Sequence, residues 1–415
     1  MSENRGFARL SKSEILSSRL SLGFSCVAHS YAHLFAPIFY VVALTLEEEL
    51  GLSHGEVVSL VVAGNVLFGL AAPAAGWLGD RWSSTGMIGL FFVGTGAGMV
   101  LTGFAASPLQ IALTLAVTGL FASIYHPVGI AWLVRHAVNR GMVLGINGFF
   151  GGLGPGLATL LAGLLMNFFG WRSAFIVPGL VLLATGGVFY ILIIRRLIIE
   201  TKTDRRPDPP VSRQDQVRAF LVLVVTMLCT GLIYHATQAG LPKVFSLRMT
   251  DLVGDSVLGV SVLVAGVYFC AGGLQLLAGM LADRFPLKIV YMLSFALQVP
   301  FLFLAASLGG TALVAVALIM VSTNIGTLPA ENSLVAKYTP SQWRGLVFGL
   351  KFIIVFGISG LGVVMEGAIY DLTGGFFWLF TVLAAIATVG VGAGFLLPSE
   401  RPRRGRQVGS LCTPP

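Results

Sequence analysis

Gly76-Trp-Leu-Gly-Asp80-Arg81 closes one long apolar run, and Gly279-Met-Leu-Ala-Asp283-Arg284 closes another, 203 positions later. Each sets a carboxylate beside a guanidinium where hydrophobic sequence stops. Three further matches keep nearly the same offset. Arg140-Gly-Met-Val-Leu-Gly-Ile-Asn147 is followed at 204 by Arg344-Gly-Leu-Val-Phe-Gly-Leu-Lys351, Pro127 at 202 by Pro329, and Pro37 at 205 by Pro242. Anchors held at one offset mark an internal duplication, and each copy is one folding unit that packs against the other.

The runs between these anchors are long enough to cross a bilayer, which takes about 20 apolar residues per helix. Twelve are expected, at 20–46, 55–78, 85–105, 108–132, 142–166, 172–194, 218–241, 256–281, 287–308, 311–334, 345–369 and 375–397. Composition agrees: 56% of the 415 residues are hydrophobic and 11% charged, with a mean hydropathy of +0.87. A soluble domain carries about 25% charged residues, so a soluble enzyme and a nucleic-acid binder are both excluded, despite the net charge of +8. The polar run 195–217, with Lys202, Arg205, Arg206, Pro207, Pro209, Pro210 and Arg213, separates a six-helix bundle at 1–194 from a second at 218–398. The Pro- and Arg-rich segment 399–415 is expected to be a disordered basic tail. Cys26, Cys229, Cys270 and Cys412 have neither metal nor redox spacing.

The cations set the orientation. With both termini in the cytoplasm, 22 of the 26 Lys and Arg fall on inner segments, and only Arg172, Lys243 and Arg248 fall outside. Such a bias is the positive-inside signature. A multi-pass protein of the cell (inner) membrane is expected, and the basic pI reflects topology rather than an acidic partner. Two parallel six-helix repeats imply a central site between halves that rock about it.

On these residues the chain resembles the major facilitator superfamily across about residues 18–398. The Gly-x-Leu-x-Asp-Arg run at Gly76–Arg81 is similar to that family's most recognisable loop. The resemblance implies an all-α membrane fold of twelve helices in two six-helix repeats, and gating roles for Asp80, Arg81 and their repeat partners Asp283 and Arg284. In the family the Asp lies near the start of the eleventh helix, where a helix N-terminus stabilises a carboxylate. The chain departs from the pattern after Arg81, where Ser83-Ser84-Thr85 stands in place of a basic run, implying a weaker lock. Gly148-Phe-Phe-Gly151-Gly152-Leu-Gly154-Pro155-Gly156 partly matches the family's antiporter element, though its four-residue glycine spacing is also what close helix packing requires. The family's fourth-span arginine is missing from Leu115-Ala-Val-Thr-Gly119. Tyr125-His126-Pro127-x-Gly129 resembles a run in fosmidomycin-resistance-type members.

Ionisable groups inside spans are costly and mark function by default. At about 1.5 Å per residue, Lys351 and Asn147 lie about 10 Å deep, His126 about 13 Å and His29 about 15 Å, near the midplane of a core roughly 30 Å thick. Lys351 has a neutral repeat partner, Asn147, so helix building does not require its charge. It either attracts an anionic substrate, pairs with Glu331 or snorkels to the interface. His29 and His33 share one helix face. With His126 and Glu331 they are candidates for proton coupling, since histidine titrates near neutral pH. The expected substrate-binding set is Lys351, His29, His126, Asn147, Tyr125 and Gln275. The His29–His33 pair lacks a third ligand in the sequence, so no metal is expected. No cofactor and no catalytic residue are expected either.

The function expected is secondary active transport by alternating access of a small organic solute, anionic because the central cations outnumber Glu331. It is taken as proton-coupled, symport or antiport, with the bilayer, protons and the solute as partners, the chain as a monomer and no nucleic acid. The alternative is a proton-coupled multidrug or antibiotic exporter. A further alternative is a non-transporting membrane receptor or assembly factor, since fold alone does not fix function.

Overall fold

The computed structural model describes residues 12–136, 140–199, 211–340 and 343–398. These residues form helices joined by short turns. The spans are α1 (Ser13–Leu50), α2 (His54–Leu70 continued by Ala72–Arg81), α3 (Ser84–Gly103), α4 (Pro108–Leu133), α5 (Met142–Phe169) and α6 (Ser173–Ile194) in the first half. The second half holds α7 (Arg213–Arg248), α8 (Val257–Arg284), α9 (Leu287–Ala305), α10 (Gly310–Tyr338), α11 (Leu346–Thr373) and α12 (Phe377–Phe395). Twelve spans are reached by counting the two pieces of α2, bent by 41°, as one crossing. The helix α7 starts at Arg213, inside the stretch read as linker, because Ser212 accepts the backbone N–H of Asp215 as an N-cap. The central part of the linker and the tail 399–415 lie outside the described residues.

Prolines explain where the helices break. A proline has no N–H for the carbonyl four residues back and its ring clashes with it. Pro37 therefore stops α1 at Ala32, and the helix resumes at Phe35. Pro73 follows the bend of α2, and Pro127 sits in a π turn over Tyr125–Gly129 of α4. Pro155, Pro242 and Pro329 behave differently and lie inside continuous helices. A second π turn, Ile353–Gly357, occurs in α11 without proline and runs into a 3-10 turn at Ile358–Gly360.

Each half has its own apolar interior. Phe39, Phe91, Trp132 and Phe175 are buried in the first. Phe245, Tyr268 and Phe380 fill one core of the second, and Tyr291, Phe295 and Leu334 another. Lipid is as apolar as these side chains, so association in the membrane depends on close van der Waals packing. The seam between halves follows this rule. The helices α5 and α8 run antiparallel, and a Cβ placed on Gly152 would lie 3.0 Å from the Gly272 Cα. Gly152 and Gly156 of the sequence-defined stripe thus serve packing against α8, while Gly148 faces open space.

Candidate functional site

The breaks just described set the polar side chains. His29 lies one turn before the α1 break and His33 at it, while the π turn of α4 carries His126. Their rings form a nearly equilateral triangle, with centroids 5.4 Å (His29–His33), 5.3 Å (His29–His126) and 5.1 Å (His33–His126) apart. Ring nitrogens from all three lie within 4.8 Å of one another. His126 is buried, against Phe68, Phe352 and Phe356 at 5.5, 5.2 and 5.4 Å. His33 lines a small cavity between the halves, together with Asn65, Phe68, Tyr234, His235 and Phe356.

Tyr125 and Asn147 hold this triangle in place. The Asn147 Nδ2 donates to the Tyr125 hydroxyl at 2.7 Å and to Ser25 Oγ at 3.2 Å, and Tyr125 donates to the Ser25 carbonyl at 2.9 Å. Both side chains are almost fully buried. The Asn147 carbonyl accepts from Nδ1 of His29 at 2.8 Å. A carbonyl only accepts, so Nδ1 carries the proton and Nε2 keeps its lone pair.

Lys351 belongs to a second cluster, inside the second half. Its Nζ lies 2.7 Å from Oε1 of Glu331 and donates to Oδ1 of Asn332 at 2.5 Å. Tyr291 donates to the other Glu331 oxygen at 2.8 Å. Glu331 is 0% exposed and Lys351 5%. Lys351 is the one buried Lys or Arg among the described residues, and it lines a narrow crevice between α7, α10 and α11. The expected binding residues are thus split. His33 faces the cavity between halves, while Lys351 and Glu331 pair inside the second half. Gln275 sits on α8 beside Gly152, with a buried Oε1 that has no hydrogen-bond partner among the described residues.

The four expected gating residues are exposed, at the C-terminal ends of α2 and α8. Arg81 stacks over Trp77 at 4.9 Å. The departure from the family loop has a structural use, since Ser83 caps α3 by accepting the Gly86 N–H at 3.0 Å.

The opposite end holds a polar network that the sequence reading did not assemble. His54, the first residue of α2, places Nδ1 2.8 Å from Glu47 and Nε2 2.8 Å from Glu366 of α11. Lys243 of α7 donates to the other oxygen of Glu47. Asp371 of α11 accepts from the Ser53 hydroxyl at 2.6 Å and from the Gly55 N–H at 3.1 Å. Glu47, Ser53 and His54 come from the first half, and Lys243, Glu366 and Asp371 from the second. The network therefore ties the halves together. The available signal was the acidic run at Glu47–Glu49 facing the outward Lys243.

A family model described as Major Facilitator Superfamily matches residues 23–253 and 227–410. The chain belongs to this family of transporters. The methylenomycin A resistance protein of Bacillus subtilis (strain 168) is 28% identical over 201 residues, 48% of this chain and 42% of that protein. The multidrug resistance protein MdtG of Rahnella sp. (strain Y9602) is 25% identical over 388 residues, 89% of this chain and 90% of its own length. In fold, the chain is similar to a bacterial homologue of the human lysosomal transporter Spinster, solved inward-facing and unoccupied. That likeness has a TM-score of 0.67 at 15% identity, over 94% of this chain and 95% of the other. The chain is accordingly a multi-pass membrane transporter of twelve helices.

Proposed function

We propose that this transporter moves a small organic anion across the cell membrane, coupled to protons, by rocking its halves, 1–194 and 218–398, about the centre. The observation that carries the reading is the buried Lys351–Glu331 pair. Breaking a buried ion pair by removing one charge costs about 3–5 kcal/mol, so the pair responds strongly to a proton or an anion. When Glu331 takes up a proton, Lys351 loses its counter-ion and gains an affinity for an anionic group. When the anion leaves, the carboxylate reclaims the ammonium and gives up its proton. This exchange links the two fluxes at one site. The His29, His33 and His126 triangle offers a second group of proton acceptors across the α4–α11 contact.

The cation distribution supports termini in the cytoplasm; on that reading the His54 network lies at the outer surface and acts as the outer latch. Asp80, Arg81, Asp283 and Arg284 then belong to the inner gate.

A second reading is favoured by two observations. The relatives named above are resistance proteins, and the cavity between halves is lined by Phe68, Phe356 and Tyr234. Aromatic walls suit flat organic molecules of neutral or cationic charge, so export of such compounds is the alternative.

A thermal-shift screen separates the two. A ligand at 100 times its Kd stabilises by about 2.7 kcal/mol. Organic carboxylates or phosphonates that raise the melting temperature of the wild type, but not of Lys351→Met, support the anion reading. Stabilisation by lipophilic cations alone, equal in both proteins, overturns it in favour of the exporter.

A further inference from the structure

We infer that His29, His33 and His126 form a binding site for one divalent transition-metal ion with a taste for imidazole, such as Zn²⁺ or Co²⁺. Sequence spacing offered only the pair on α1, and the π turn of α4 delivers the third ligand. Tetrahedral zinc at about 2.0–2.1 Å from each imidazole nitrogen separates those nitrogens by about 3.4 Å. The nitrogens here lie within 4.8 Å of one another, so ring rotations that bring them about 1.5 Å closer complete the geometry of three ligands.

Three observations point to a ligand rather than to packing. First, the hydrogen bond from Nδ1 of His29 to the Asn147 carbonyl fixes the tautomer with the Nε2 lone pair available. A carbonyl or carboxylate on the far nitrogen is the usual support of a metal-bound histidine. Second, the ring nitrogens of His33 and His126 have no hydrogen-bond partner among the described residues. These nitrogens are not sealed in, and His33 is only half-buried, so their lone pairs are accessible to an ion. Third, glycine makes room for the rings. A Cβ on Gly151 would lie 2.4 Å from Cε1 and Nε2 of His29, and one on Gly154 would lie 2.8 Å from Cβ of His33.

The donor set selects the metal class. Imidazole alone suits zinc, cobalt, nickel and copper, whereas calcium and magnesium require oxygen ligands. Three neutral ligands leave the ion its double charge inside the membrane. The fourth position, on the side of the cavity that His33 lines, therefore takes an anionic group or a polarised water. Metal binding does not depend on the carried solute being an anion.

The test uses the full chain, purified in detergent without a polyhistidine tag, stripped with EDTA and titrated with Co²⁺. One equivalent should bind with the visible absorption of tetrahedral Co²⁺, and Zn²⁺ should displace it. His33→Gln and His126→Gln should each weaken binding about 100-fold or more, while His54→Gln, at the far network, should bind as the wild type does. X-ray absorption on the Zn²⁺-loaded wild type gives an answer independent of variant folding: imidazole scattering from three histidines is expected. Wild type that binds no saturable equivalent, loss of binding in His54→Gln but not in the triangle variants, or an oxygen-only zinc shell would overturn the inference.

Discussion

His54 and Glu366 join the two halves of the transporter: the imidazole Nε2 lies 2.8 Å from a carboxylate oxygen of α11, while Nδ1 meets Glu47 at the same distance. A ring with a carboxylate on each nitrogen bonds both only when it carries two protons. The contact is thus a charged clasp, with Lys243 and Asp371 extending it on either side.

Removing the clasp should open that end. In His54→Ala or Glu366→Gln, the energy lost favours separation, and every 1.4 kcal/mol shifts the ratio of states tenfold. Spin labels at Leu52→Cys and Thr373→Cys, measured by pulsed dipolar spectroscopy in a background without native cysteines, should show the ratio of short-distance to long-distance populations falling by about tenfold. An unchanged distance distribution would mean that the clasp does not hold the halves.

The Lys351–Glu331 pair yields a stability test. Glu331→Ala should cost about 3–5 kcal/mol, because it leaves a buried ammonium without its counter-ion. Lys351→Met combined with Glu331→Gln should recover most of that loss, since a neutral pair avoids burying charge. Melting curves of the three proteins in detergent give the comparison. A double variant as unstable as Glu331→Ala would show that the two residues are not coupled.

The α5–α8 seam should tolerate no side chain. Gly152→Leu drives a branched chain into the Gly272 backbone, a contact already at 3.0 Å for Cβ alone. Overpacking of this kind costs typically about 1–3 kcal/mol, which leaves a folded protein whose halves no longer slide. Transport should fall below a tenth of wild type with the purification profile unchanged. Full transport would show that the seam is not part of the moving surface.

Orientation can be read by labelling. Asp255 and Asp283 are exposed at opposite ends of α8 and its preceding turn. An impermeant maleimide applied to intact cells should modify Asp255→Cys and spare Asp283→Cys. The reverse pattern would invert the assignment drawn from the cations.

The sequence carried the architecture because its signals were local or periodic. Apolar length marked the twelve spans, and the Asp80-Arg81 and Asp283-Arg284 anchors marked the duplication. Pairing of Lys351 with Glu331 was one of the roles the sequence allowed, since both lie a few residues inside their spans from the same end. The histidine triangle was only half visible. Spacing put His29 and His33 on one face, but His126 joins them through the rotation of α4 at its π turn, which depends on how Pro127 is accommodated. Tyr125 and Asn147, expected at the substrate, also brace His29, a contact the sequence did not show because depth along a helix does not say which way a side chain faces. His54 was missed because its partners lie 7 and 312 residues away, and a histidine at the first position of a helix carries no periodic signal.

The central claim, that protons and an organic anion exchange at Lys351 and Glu331, is tested most directly in proteoliposomes under an imposed pH gradient. A radiolabelled anion identified by the thermal-shift screen is supplied, and a pH dye follows the protons. The expected result is anion accumulation with matching proton movement in the wild type. In Lys351→Met both should be lost, and in Glu331→Gln anion binding should persist without gradient-driven accumulation. Accumulation driven by the gradient to the wild-type level in either variant would contradict it.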